Sequence, residues 1–103
     1  MKIIEKLSKL IDEELEDAEK YARCAMKYGE ESAELKQLFL TLSNEEMRHK
    51  DMLHAQVVKL IDKYRMEHGD APVAMQAVYD YLHEKSVERA HKIKALQDEV
   101  RGI

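Results

Sequence analysis

The scarcity of chain-breaking residues constrains the fold of this sequence more than any other feature. Only three glycines and one proline occur in 103 residues, and they stand at Gly29, Gly69, Pro72 and Gly102. Glycine commonly ends helices and proline commonly opens them. These positions predict three helices, over about 3–28, 32–68 and 71–101, with Ser32 and Asp70 as N-caps of the last two. The sequence therefore predicts one all-α domain over residues 1–103, with an antiparallel helical hairpin and a third helix.

The charge and the cysteine content of the sequence argue against several classes of function. The net charge of −4 leaves no basic excess to neutralise phosphates, so we expect no nucleic-acid partner. No apolar run is long enough to span a membrane, and the first residues become acidic too early for a signal peptide. The single cysteine, Cys24, indicates neither a disulfide framework nor a cysteine-rich metal site. We expect a reduced, cytoplasmic protein.

A carboxylate interrupts the apolar stripe of the first helix. At spacings of three and four, this stripe consists of Ile4, Leu7, Ile11, Ala18, Tyr21 and Ala25. The missing member is Glu14, which lies about 20° from the line through Leu7 and Ala25. Glu14 is therefore expected to point toward the core. An isolated carboxylate there is costly, so it needs a proton or a partner.

Two further ionisable residues interrupt the stripe of the second helix. That stripe consists of Leu35, Leu38, Phe39, Leu42, Leu53, Val57, Leu60 and Tyr64. Its missing members are Glu46 and His49, which lie within about 40° of the line through Leu35 and Leu53. They form Glu-x-x-His, which places a carboxylate and an imidazole side by side on one helical face. A second Glu-x-x-His, at Glu88 and His91, faces away from the stripe of the third helix and is expected to be solvated.

The distances of Glu14 and Glu46 from the turn at Gly29 predict that the two side chains lie close together. Glu14 lies about 15 residues before Gly29 and Glu46 about 17 after it, so an antiparallel hairpin brings them to one height. A di-metal site in a four-helix bundle uses four carboxylates and two histidines. One chain offers half of that set, and a two-fold homodimer or higher oligomer would complete it. Oxygen and imidazole ligands suit iron or manganese.

The block from residue 10 to residue 64 resembles the ferritin-like di-iron superfamily, in its rubrerythrin and encapsulated-ferritin branch. The segments that carry the resemblance are LIDEELEDAEKYA and LSNEEMRHKDMLH. The resemblance implies that Glu14 is a terminal ligand, Glu46 a bridging ligand and His49 the imidazole ligand. Two iron ions would occupy each shared site, with manganese or zinc as alternatives. Tyr21 matches an aromatic residue of the family and would hydrogen-bond a ligand carboxylate, although it is equally well explained as a core aromatic.

The chain departs from that family in its third helix. Full ferritins and rubrerythrins have a second glutamate and a second Glu-x-x-His, which this helix lacks in the expected pattern. Short encapsulated ferritins also have half a site per chain, but their C-terminal targeting tail is not evident here, so encapsulation is not expected. His83 lies at the edge of the third helix's apolar stripe (Met75, Val78, Leu82, Ala90, Ile93 and Leu96). It is a candidate additional ligand, with a boundary position as the simpler interpretation.

Three functions follow from these residues. The first is a ferroxidase-like oxidoreductase that acts on Fe(II), with oxygen or peroxide as the electron acceptor and the metal site shared between two chains. The second is a helical oligomerisation module without chemistry, in which Glu14, Glu46 and His49 form a buried polar network that fixes the register of the bundle. The third is a manganese- or zinc-binding protein without redox turnover.

Overall fold

A computed structural model describes residues 1–102 and places them almost entirely in three α-helices. They are α1 (Lys2–Tyr28), α2 (Ala33–His68) and α3 (Val73–Gly102), and no strand occurs within residues 1–102. The prediction of an all-α chain is confirmed. α1 packs against both other helices, antiparallel to α2 and parallel to α3, in a molecule of 55 × 18 × 17 Å. No helix in this part of the chain is long and apolar enough to cross a membrane.

The two loops show why the helices end where they do. The Ser32 hydroxyl accepts a hydrogen bond of 3.2 Å from the backbone N–H of Leu35, which confirms its predicted role as N-cap of α2. Gly69 follows α2 with φ 76° and ψ −162°, a conformation essentially reserved for glycine. α3 begins only at Val73, and Asp70 lies outside it. The reason is Pro72, which disfavours helical backbone in the residue before it.

The core lies along α1, the helix that contacts both others. Its buried residues are Ile4, Ile11, Leu15, Ala18, Ala22 and Ala25. Leu7 and Tyr21, predicted as core residues, are only half-buried, whereas Leu15 and Ala22 lie inside. The stripe is therefore rotated relative to the prediction. Small alanines along it allow two helices to approach α1 at once.

A single buried hydroxyl joins all three helices. Ser43 Oγ, in α2, donates to the carbonyl oxygen of Ala18 in α1 at 2.6 Å. The side-chain amide of Gln97, in α3, donates to the same Oγ at 2.7 Å. Both Ser43 and Gln97 are almost completely buried. This network fixes the height of α2 and α3 relative to α1, and nothing in the apolar pattern pointed to it.

Several residues of the predicted stripes remain at the surface. Leu35 and Leu38 of α2 are 39% and 48% exposed, and Val78 of α3 is 53% exposed. For these three residues the prediction of a core position is wrong within one chain. For Leu35 and Leu38, the reason is that α3 covers only part of the hairpin. An apolar edge of α2 is therefore left uncovered.

Candidate metal centre

The hairpin brings together the three residues predicted as ligands. Glu14 comes from α1, and Glu46 and His49 come from successive turns of α2. One ligand atom from each lies within 4.8 Å of the others. The Nδ1 atom of His49 lies 3.5 Å from Oε2 of Glu14 and 3.8 Å from Oε2 of Glu46. The antiparallel packing of α1 on α2 and the i, i+3 spacing within α2 thus bring two carboxylates and one imidazole together.

The two carboxyl groups strongly influence each other. Hydrogen bonding with the Glu14 carboxyl raises the pKa of Glu46 to about 7, with further contributions from burial and from the negative charge of Glu14. The positive charge of a protonated His49 acts in the opposite direction. Near neutral pH, the metal-free pair therefore holds a proton that an ordinary pair of glutamates would have lost.

One oxygen of the group has no partner. Oε2 of Glu14 is buried from solvent and, when both carboxyl groups are ionised, accepts no hydrogen bond from any residue described in the structure. Its separation from the His49 nitrogen is too long for a good hydrogen bond. A buried acceptor without a partner is unfavourable by about 1–3 kcal/mol. A bound cation would remove that penalty.

The group lies at the edge of the hairpin rather than inside it. The side chains of Glu14 and Glu46 are 26% and 20% exposed, and that of His49 is 49% exposed. The expectation that all three lie within the core does not hold for a single chain. The rotation of the α1 stripe explains this, since it turns Glu14 toward the side that α3 leaves open.

The other candidate residues lie elsewhere. His83 does not join the group; its Nδ1 atom lies 3.3 Å from Nε2 of His54. Tyr21 is half-buried two turns after Glu14, and within residues 1–102 its hydroxyl makes no hydrogen bond to Glu14 or Glu46. Glu88 and His91 are exposed. The pairing of His54 with His83 was not predicted. The sequence contains one feature that could have indicated this pairing, since the pattern Asp-x-Leu-His occurs at 51–54 and again at 80–83.

The residues present fit half of a di-metal carboxylate site. Two carboxylates and one imidazole converge from two helices, and one carboxylate oxygen lacks a partner. Hard oxygen ligands with an imidazole are the donors that iron and manganese accept. The complete site of a four-helix bundle needs twice this set.

Comparisons with known proteins identified no relative of this chain. No protein-family model, no curated protein and no solved structure gives a significant match to the chain. The functional argument therefore depends on the residues and on their geometry.

Proposed function

We propose that two copies of this chain bind a pair of iron ions between them and oxidise Fe(II), with oxygen or peroxide as the electron acceptor. The observation that carries this proposal is the convergence of Glu14, Glu46 and His49, with a buried carboxylate oxygen that has no partner. The resemblance of the same segments to the ferritin-like superfamily agrees with it. A bound di-iron pair would supply the two electrons that the acceptor takes up.

The chain's own residues have distinct roles in this proposal. Glu46 and its symmetry mate would bridge the two ions, while Glu14 and His49 would each bind one. Because the pKa of Glu46 is raised to about 7, cation binding displaces the proton that the carboxyl pair otherwise holds. The affinity for Fe(II) is therefore expected to fall as the pH drops below about 7.

The uncovered edge of α2 supports a shared site. Leu35 and Leu38 are exposed on the same side of α2 as Glu46 and His49, because residues at these positions lie within about 80° of one another on a helix. Apolar side chains beside a half-complete ligand set favour a second hairpin over solvent as the neighbour. A two-fold axis through this edge would bring together two glutamate pairs and two histidines.

The test is anaerobic loading of metal-stripped protein with Fe(II), followed by counting of tightly bound iron per chain. About one ion per chain, bound by a dimer, is expected for a shared two-ion site. Glu14→Gln and Glu46→Gln should each abolish tight binding. The matched controls are the neighbouring exposed glutamates, as Glu13→Gln and Glu45→Gln, which should bind iron normally.

The oligomeric state is measured on the same samples by sedimentation. Leu38→Glu should prevent both dimer formation and tight iron binding, because it places a charge on the shared edge. Met66→Glu, at an 88% exposed position of the same helix, is its control. Absence of bound iron in the parent protein would refute the proposal, and two Glu14-dependent ions bound by a monomeric chain would refute the shared site.

The contacts of His49 favour one rival, a polar network that only fixes the register of an oligomer. The charged form of His49 would then pair with Glu14 and Glu46. Replacing Glu46 and His49 by leucine should stabilise that assembly, since buried ion pairs are often less stable than apolar replacements. Under the iron proposal, the same variant loses metal binding. A manganese or zinc protein would bind its ion but show no oxygen-dependent change in absorbance after aeration.

A further inference from the structure

A groove separates α2 from α3, and none of Glu14, Glu46 and His49 lines it. It contains two adjoining cavities of about 470 and 340 Å³, and α1 forms its floor through Ile11. His54 of α2 and His83 of α3 line both cavities, so this pair of rings marks the boundary between them. Direct contacts between α2 and α3 are otherwise few.

The two imidazole rings are in direct contact through one nitrogen of each, at a distance that permits a hydrogen bond between them. Nε2 of His54 and Nδ1 of His83 are 3.3 Å apart, and the rings stack with centroids 5.1 Å apart and planes at 25°. Two nitrogens bound to one tetrahedral Zn²⁺ at 2.0–2.1 Å are separated by about 3.3–3.4 Å. The observed distance matches that separation without any movement of the backbone.

Electrostatics keep His54 in the form that binds metals. Burial lowers the pKa of the His54 imidazole, and the nearby His83 and Lys50 lower it further, while Asp51 opposes them. A neutral imidazole keeps a lone pair for a cation, whereas a protonated one has none. The lowered pKa therefore favours the form of His54 that can bind a metal.

We propose that His54 and His83 form a second metal site, for Zn²⁺ or a similar divalent transition ion, that links α3 to α2. It shares no residue with the Glu14, Glu46 and His49 group. His49 and His54 are five positions apart, so they project about 140° apart around α2. The two sites therefore lie on different edges of the helix and can be tested separately.

The repeated Asp-x-Leu-His pattern supplies oxygen ligands for this second site. Asp51 and Asp80 each lie one turn before a histidine of the pair. Because α2 and α3 run antiparallel, one carboxylate lies on each side of the rings: Asp51 lines the larger cavity and Asp80 the smaller one. In the metal-free structure Asp51 pairs with Lys50 at 2.6 Å, and Asp80 accepts a hydrogen bond from Gln76 at 2.9 Å. Neither carboxylate groups with the two rings in the metal-free structure, so each would have to leave its present partner to bind the ion.

The test uses the full chain with the first site removed by Glu14→Gln and His49→Asn, titrated with Zn²⁺ by calorimetry. We expect one Zn²⁺ per chain in this background. Adding His54→Asn or His83→Asn should weaken binding at least roughly tenfold, since each removes a direct ligand. Asp51→Asn and Asp80→Asn should have smaller effects. His68→Asn, which alters an exposed histidine of the same helix, is the control and should leave the affinity unchanged.

A second measurement does not depend on the variants folding. In the parent protein, Zn²⁺ should shift the ring-nitrogen NMR signals of both His54 and His83 at the same equivalent of metal. The proposal is overturned if the background variant binds no Zn²⁺, if His54→Asn binds it as tightly as its parent, or if the NMR shifts occur at His68 or His91 instead.

Discussion

The Ser43 hydroxyl provides the sharpest test of how the three helices are held together. Ser43→Ala removes the acceptor of the Gln97 amide, and Gln97 is only 3% exposed, so water cannot replace it. A buried polar group left without its partner destabilises a protein by about 1–3 kcal/mol. For a domain of about this size, each 1 kcal/mol shifts the melting temperature by about 4–8 °C. We therefore expect a decrease of roughly 4–24 °C.

The assay is thermal and urea unfolding followed by circular dichroism. Metal-free protein at one fixed concentration is used, because metal binding and association both shift apparent stability. The informative comparison is the double variant Ser43→Ala with Gln97→Leu. Replacing both partners by apolar groups removes the unsatisfied amide, so the double variant should be more stable than Ser43→Ala alone.

Two results would contradict this reasoning. One is a loss below about 0.5 kcal/mol for Ser43→Ala, which is the range of an ordinary surface substitution. The other is simple additivity of the two single changes in the double variant, because additivity would mean that the two side chains are not coupled. Asn44→Ala, at the adjacent exposed position, is the control and should not lower the melting temperature.

Three further predictions concern the site, the core and the second loop. The metal-free protein should lose stability as the pH rises from about 4.5 through about 7, because folded Glu46 keeps a proton that the unfolded chain releases. Urea unfolding should show that the free energy of unfolding falls by at most about 3 kcal/mol as the pH rises over this range, and that it does not fall in Glu46→Gln. A free energy of unfolding that falls on acidification over the same range would contradict the assignment. Ile93→Ala should destabilise by about 2–5 kcal/mol in the same assay, since Ile93 is completely buried against α1. Gly69→Ala should lower stability by about 1–3 kcal/mol because of the positive φ, whereas Gly102→Ala, whose added methyl group meets no atom, should not.

The sequence predicted the helices better than their faces. Sparse glycine and proline determined where α1 and α2 end, because those residues act locally. The orientation of α1 depended on a fact that is not local, namely that it contacts two helices. Leu7 and Tyr21 fit a single stripe as well as Leu15 and Ala22 do, and only the position of α3 selects the second pair.

The same distinction applies to the two groups of polar residues. Glu46 and His49 could be recognised from spacing within one helix, and Glu14 from its distance to the turn. His54 and His83 come from different helices, so their contact depends on the register between α2 and α3. That register is set by buried groups such as Ser43 and Gln97, which no apolar pattern reveals.

The position of α3 also bears on the proposed dimer. α3 packs against α1 and closes one side of the hairpin, where the His54 and His83 groove lies. The side with Glu14 and Glu46 has no third helix over it, although Leu35 and Leu38 are exposed there. A second hairpin can therefore approach that side without displacing α3. In such a dimer the two hairpins would form the four-helix bundle and the two α3 helices would lie outside it, which leaves each groove open to its own metal ion.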